Sequence, residues 1–132
     1  KMKTSALVAY NPLFWFLTNN KRLSSNAKIL FEEAETGESS IIVPSIVLAE
    51  LMYLFEKQNL RDKFKEVLKR IEIALNYEVY SLDIEVIDIS SKIISVKEIH
   101  DRIIIATAKL LDCPLITKDE EITNSKEIEC IW

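Results

Sequence analysis

A single glycine, Gly37, serves the whole of this 132-residue chain, where average usage of about 7% would place roughly nine. Phosphate-cradling loops of the GxGxxG and GxxxxGK[ST] types need several glycines, because the backbone must approach the phosphate closely. Neither loop can be written with one. The only histidine, His100, likewise excludes Cys2His2 and two-histidine zinc sites. The two cysteines, Cys113 and Cys130, stand beside apolar residues and read as small buried hydrophobes, with a disulfide or redox pair as the alternative. Two thiols are too few to frame a secreted domain.

What remains is an ordinary globular composition, 48% hydrophobic and 29% charged. Its length suits one domain, residues 1–132, with a core that needs no staples. The apolar start Ala6–Val8 is short and runs into Tyr10-Asn11-Pro12, unlike a signal peptide, and Met2 behind Lys1 reads as a natural start. Pro12 and Glu50 interrupt the longest apolar stretches, well short of the about 20 residues of a membrane span. The expectation is a soluble, cytoplasmic protein without a membrane partner. A net charge of −4 and a pI near 5.1 argue against a binder driven by phosphate neutralisation alone. They do not exclude a nuclease, since a bound cation reverses the potential of an acidic centre.

Apolar patterning gives alternating strands and helices. Thr4–Tyr10 reads as a buried strand broken by Asn11-Pro12, with a short apolar helix over Leu13–Leu17. Ser24 or Ser25 caps a helix to about Thr36, in which Ala27, Leu30, Phe31 and Ala34 form the buried stripe. Ser40–Val43 is a strand stopped by Pro44, and Ser45 is placed to cap a helix through Lys57. Further helices are expected over Arg61–Leu75, Ile84–Ile94 and Asp101–Leu111, and further strands over Glu78–Ser81, Pro114–Thr117 and Glu129–Ile131. This order predicts an α/β fold with a mainly parallel sheet of about four to five strands, covered by helices on both faces. Ligands in such sheets bind beyond the carboxyl ends of the strands, here after Tyr10, Val43 and Thr117.

Three carboxylates fall near those ends. Glu50 interrupts the apolar helix Ile46–Phe55, and a lone buried carboxylate costs several kcal/mol unless paired or bound to a metal. A helix-edge position reaching water or a lysine is the alternative. Asp101 heads the apolar run Ile103–Ala108, where it serves either a site or a helix cap; Glu98 can share its surroundings. Asp119 follows the strand end at Thr117, and caps Glu120–Ile122 if it is not a ligand. Converging oxygen donors without histidine or thiolate suit Mg²⁺ or Mn²⁺, and phosphodiester hydrolysis is the matching chemistry. Thr107, Thr117, Ser45 and His100 are weaker candidates. The run Arg61, Lys63, Lys65, Lys69 and Arg70, interleaved with acids, reads as a solvated face or an RNA or partner contact.

These acids, in this order, resemble the PIN-domain family, and in particular VapC-like toxin ribonucleases. The matching segments are Asn11-Pro-Leu-Phe-Trp-Phe-Leu-Thr18, Pro44-Ser-Ile-Val-Leu-Ala-Glu50, Glu98-Ile-His-Asp-Arg-Ile-Ile-Ile-Ala-Thr-Ala108 and Pro114-Leu-Ile-Thr-Lys-Asp119, closed by Ile131-Trp132. The resemblance implies a three-layer α/β/α sandwich and a Mg²⁺- or Mn²⁺-dependent endoribonuclease. It further implies the toxin of a type II toxin-antitoxin pair, with an antitoxin partner and commonly a homodimer. By the same resemblance Glu50, Asp101 and Asp119 are metal-site carboxylates, with Asn11 and Thr117 as supporting polar groups.

One position departs from the pattern. The family's first aspartate, two residues before Asn11, is Ala9 here. A methyl group cannot ligate a cation, and the earliest acid in the chain is Glu32. Losing one ligand should weaken metal binding by at least the about 10–100-fold typical of outer-shell changes. The expectation is a weakly active or inactive chain, with Ala9 either an introduced or a natural replacement. A non-catalytic module binding RNA or a protein partner is the alternative, and a generic α/β domain holding a small phosphorylated ligand is the third reading.

Overall fold

The computed structural model describes residues 4–132, and Met2 lies outside them. The chain runs β1 (Thr4–Val8), α1 (Tyr10–Leu17), α2 (Ser25–Glu35), β2 (Ser39–Pro44), α3 (Ser45–Lys57), α4 (Arg61–Ile73) and β3 (Tyr77–Tyr80). It continues with α5 (Ile84–Ser91), α6 (Ile99–Leu111), β4 (Leu115–Ile116), α7 (Glu120–Ser125) and β5 (Cys130–Ile131). The strands form one sheet in the order β3-β2-β1-β4-β5, and every pairing is parallel. Right-handed crossovers therefore place α1–α4 on one face and α5–α7 on the other. The closest helix pairings respect this division: α1 with α2 and α3, α3 with α4, and α5 with α6. The expected α/β sandwich is the architecture found.

Burial explains the layering. Ala6, Leu7 and Val8 of β1 and Ile41 and Val43 of β2 are buried, as in a central strand covered on both faces. Six consecutive residues of α6, Ile103–Ala108, are buried, so this helix is apolar all round and packs on more than one side. Most of the phenylalanines pack ring to ring. Phe16 stacks on Phe31 at 4.5 Å, and Phe55 packs edge-on against Phe14 and Phe64. Met52 and Tyr53 remain exposed. Helix α4 is mostly solvated, with Arg70 paired to Glu35 at 2.9 Å. Cys113 and Cys130 are both free thiols.

Several boundaries differ from the sequence reading, for local reasons. Strand β1 ends at Val8 and α1 begins at Tyr10. Pro12 does not delay the helix, because it occupies the first turn, where its missing N–H would have no intrahelical acceptor. Ser45 is not the cap of α3. Pro44 holds that place, and the Ser45 hydroxyl accepts from the Leu82 N–H at 3.1 Å instead. Helices α4 and α5 stop at Ile73 and Ser91, and a short helix α7 follows Asp119. Ser24 does cap α2, accepting from the Ala27 N–H at 3.2 Å.

One glycine suffices because other residues take the left-handed conformation at helix ends. Asn19, Asn59, Asp112 and Lys126 have φ between 51° and 59°, beside Gly37 at 89°. Four of these five ends close with the six-to-one backbone bond of a Schellman turn: Asn20 N–H to Trp15 O, Glu38 N–H to Glu33 O, Leu60 N–H to Phe55 O, and Cys113 N–H to Ala108 O.

Phe31 is fully buried and joins α2 to α1 through its ring stack. Truncating it leaves a large cavity, so Phe31→Ala should lower unfolding free energy by about 3–5 kcal/mol in denaturant titration. A loss near zero would contradict this packing.

Candidate active site

The sheet reverses its strand order between β1 and β4, which makes their carboxyl ends the expected binding edge. The register pairs Val8 with Ile116, so the next residues, Ala9 and Thr117, emerge side by side. The Ala9 N–H donates to Ile116 O at 3.1 Å. A cleft of about 510 Å³ opens above them, lined among others by Ala9, Asn11, Glu50, Asp101, Thr117 and Asp119. The three carboxylates, Asn11, Thr117 and Ala9 thus reach one cavity, while the weaker candidates Thr107, Ser45 and His100 do not line it. A wide separation of Glu50, Asp101 and Asp119 would have favoured the generic α/β reading, and the three instead share this cleft.

Each carboxylate is delivered by a different element. Glu50 projects from α3 beside the buried stripe Val47, Leu51 and Phe55. Glu50 Oε1 is buried without a hydrogen-bond partner. Asp101 stands in the first turn of α6 but does not cap it. Glu98 does, its carboxylate accepting from the His100 N–H at 2.7 Å, which leaves Asp101 out of the cap. Asp119 both lines the cleft and caps α7, its Oδ1 accepting from the Ile122 N–H at 2.9 Å. Thr117 is buried, and its hydroxyl accepts from the Asp119 N–H at 3.1 Å, fixing the start of that turn. Thr107 instead donates to Ile103 O at 2.7 Å within its helix, and is structural.

The electrostatics are those of partly buried acids crowded together, with no lysine or arginine salt-bridged to Glu50, Asp101 or Asp119 among the described residues. Burial pushes Glu50 up to about 7, Asp101 and Glu98 push the same way, and His100 opposes them. Burial also lifts Asp101 to about 6, reinforced by Asp119, Glu98 and Glu121. Desolvation and then the Glu50 charge raise the Tyr10 phenol. The N-termini of α1, α6 and α7 all border the cleft, and such helix ends favour anions.

A family model described as PIN domain matches residues 10–127. The chain belongs to the PIN domain family. Solved structures agree on the fold. VapBC2 from Rickettsia felis, bound to a DNA fragment from its promoter, aligns with TM-score 0.71 at 15% identity, covering 96% of this chain and 97% of that one. A toxin-antitoxin complex from Klebsiella pneumoniae gives 0.66 at 21% identity over 89% of each chain. FitAcB from Neisseria gonorrhoeae gives 0.70 at 17% identity over 95% of each. No curated protein matches the chain.

This PIN domain offers a divalent cation donors of the right kind, but not a finished cage. The orphaned Glu50 oxygen and the all-oxygen donor set fit a hard cation. Yet among the described residues no three His, Cys, Asp or Glu side chains are grouped closely enough to hold a metal ion. Ala9, at the end of β1 and 8% exposed, puts a methyl group in the wall of the cleft. Several cleft residues went unread in the sequence. Trp15 lines the cavity and packs edge-on to Trp132 at 5.8 Å, and Lys118 Nζ lies 5.9 Å from the Trp15 ring centre. Tyr10, read as a strand end, is helical and lines the cleft.

A carboxyl group whose folded pKa is raised above its unfolded value loses stability as pH climbs through that interval. For Glu50 the window runs from its ordinary 4.5 to about 7. Without divalent cations, Glu50→Gln should match the parent near the bottom of this window. It should exceed the parent by about 1 kcal/mol at pH 8, a figure discounted because solvent reaches the cleft. Melting curves across pH test this, and a difference that fails to grow with pH would refute it.

Proposed function

We propose that this PIN domain is the scaffold of a divalent-metal endoribonuclease, of the kind found as the toxin of a toxin-antitoxin pair. In this reading it acts as one domain over residues 1–132 in the cytoplasm, and Ala9 leaves it weakly active or inactive. The observation carrying the reading is that Glu50, Asp101, Asp119 and Ala9 line one cleft at the strand-order reversal. Glu50, Asp101 and Asp119, which line the cleft without being grouped into a finished metal cage, would supply oxygen ligands to Mg²⁺ or Mn²⁺, and that ion when bound supplies a more acidic water and neutralises charge on a phosphodiester.

The chain's own groups set the geometry around that chemistry. Glu98 fixes the first turn of α6 and thereby the position of Asp101. Thr117 and the α7 cap orient Asp119. The α1, α6 and α7 N-termini present positive dipole ends toward a phosphate. Asn11, in the first turn of α1 and lining the cleft, is placed to contact the substrate. An antitoxin partner is supported by the toxin-antitoxin complexes that share the fold. A homodimer is supported by apolar side chains left in solvent around α5, Ile84 at 85% and Ile94 at 91% exposure.

A second reading keeps the scaffold and drops the chemistry: a module that binds RNA or a protein without cutting. The missing acid at Ala9 favours it. The two are separated by assaying RNA cleavage by this chain and by Ala9→Asp, with Mn²⁺ and with EDTA. The nuclease reading expects Ala9→Asp alone to cut, only with metal, at least about 10–100-fold faster than the parent. Adding Asp101→Asn to Ala9→Asp should abolish the gain. No cleavage by Ala9→Asp with either metal would transfer the function to binding.

A further inference from the structure

Beside the acidic cleft lies a second hollow of about 400 Å³, and the two share a wall made by Tyr10 and Glu50. Its floor comes from α3, where Ile46, Ala49, Tyr53 and Lys57 follow one another at helical spacing. This stripe is distinct from the core stripe Val47, Leu51 and Phe55. Ala49 is exposed and small, which keeps the hollow open. Tyr53 is 62% exposed, and Lys57 Nζ sits 5.5 Å from its ring centre. His100 stands on the opposite rim, its Nδ1 held 3.0 Å from Glu98 Oε1.

We infer that this hollow is the subsite for one unpaired RNA base beside the phosphate addressed by the acidic cleft, with the base on Tyr53 and the adjoining phosphate near Lys57. The inference rests on the nuclease reading of the cleft. Charge and shape select the occupant. The chain is acidic overall, yet the rim of this hollow carries the Lys57 ammonium, with the His100 ring as a further hydrogen-bonding group. A strand leaving a carboxylate-lined cleft needs cations at its next phosphate. An exposed aromatic ring with a cation over one face joins the two elements, stacking and cation–π contact, on which single-stranded bases bind without sequence demand. The opposite side of the cleft offers no equal platform. Trp15 there is buried against Trp132, leaving Lys118 to meet phosphate alone. The site is therefore asymmetric, taking a base on one side of the scissile position and only backbone on the other.

The test measures binding of a short fluorescent single-stranded oligoribonucleotide to the intact chain in EDTA, by anisotropy across a salt series. Tyr53→Ala should weaken binding about 5–100-fold, while Tyr53→Phe stays within about twofold of the parent. Lys57→Gln should flatten the plot of log affinity against log salt by about one unit. Because Tyr53 is exposed, its variants leave the core untouched. Parent-like binding by Tyr53→Ala would overturn the subsite and leave the nuclease reading standing. Absence of binding by the parent, together with no cleavage by Ala9→Asp, would remove both. If Tyr53→Ala alters only the sedimentation of the chain, the hollow is a contact between copies and the inference fails.

Discussion

Everything at the candidate site depends on the parallel hydrogen bonding of β1 to β2 on one side and β4 on the other. Parallel strands require crossovers, and the crossovers from β1 and β4 depart toward opposite faces of the sheet. The gap they leave cannot be closed by either helix layer. Chain segments that follow the two strands, Ala9–Pro12 and Thr117–Asp119, therefore line a cavity that backbone geometry creates before any side chain is specified. Helix N-termini gather there for the same reason, since each helix starts where a strand or its loop ends at that edge.

Placing acids in this gap sets function against stability. Glu50 is driven toward the neutral form by burial and by the charges of Asp101 and Glu98, and Asp101 by burial and by those of Asp119, Glu98 and Glu121. The described residues offer no lysine or arginine salt bridge to either. Such an arrangement is unfavourable for an isolated chain and becomes favourable when a cation enters. Under the proposed nuclease reading, Ala9 stands where a fourth negative charge would be. It lowers the repulsion and, by the same change, the attraction for a metal.

The fold class was legible because it depends on periodicity: buried strands β1 and β2 and the amphipathic α2 announce themselves through apolar spacing. The candidate cleft was legible because Glu50 is an acid inside an apolar helix and Asp101 and Asp119 fall near the strand ends where such sheets place ligands. Caps were read less well. Ser45 and Asp101 have the right residue types for helix starts, but Ser45 bonds across to Leu82 and Glu98 takes the α6 cap. Those choices depend on neighbours distant in sequence or on one turn of phase. Lys118, Trp15 and the Tyr53 hollow were hidden for a related reason: aromatic and basic residues at helical spacing look alike whether they face core, solvent or ligand. Only the sheet order tells which faces meet.

The helix ends carry a consequence for the unfolded chain. Asn19, Asn59, Asp112 and Lys126 adopt the left-handed backbone that glycine usually supplies. Asparagine and aspartate tolerate it through local side-chain hydrogen bonds, while lysine gains no such relief. Without glycines at these four points, the denatured ensemble has fewer backbone states to surrender on folding. The conformational entropy opposing folding is thereby reduced across the chain, and the corresponding strain is gathered into a few terminal turns, most of all the one at Lys126 that leads into β5.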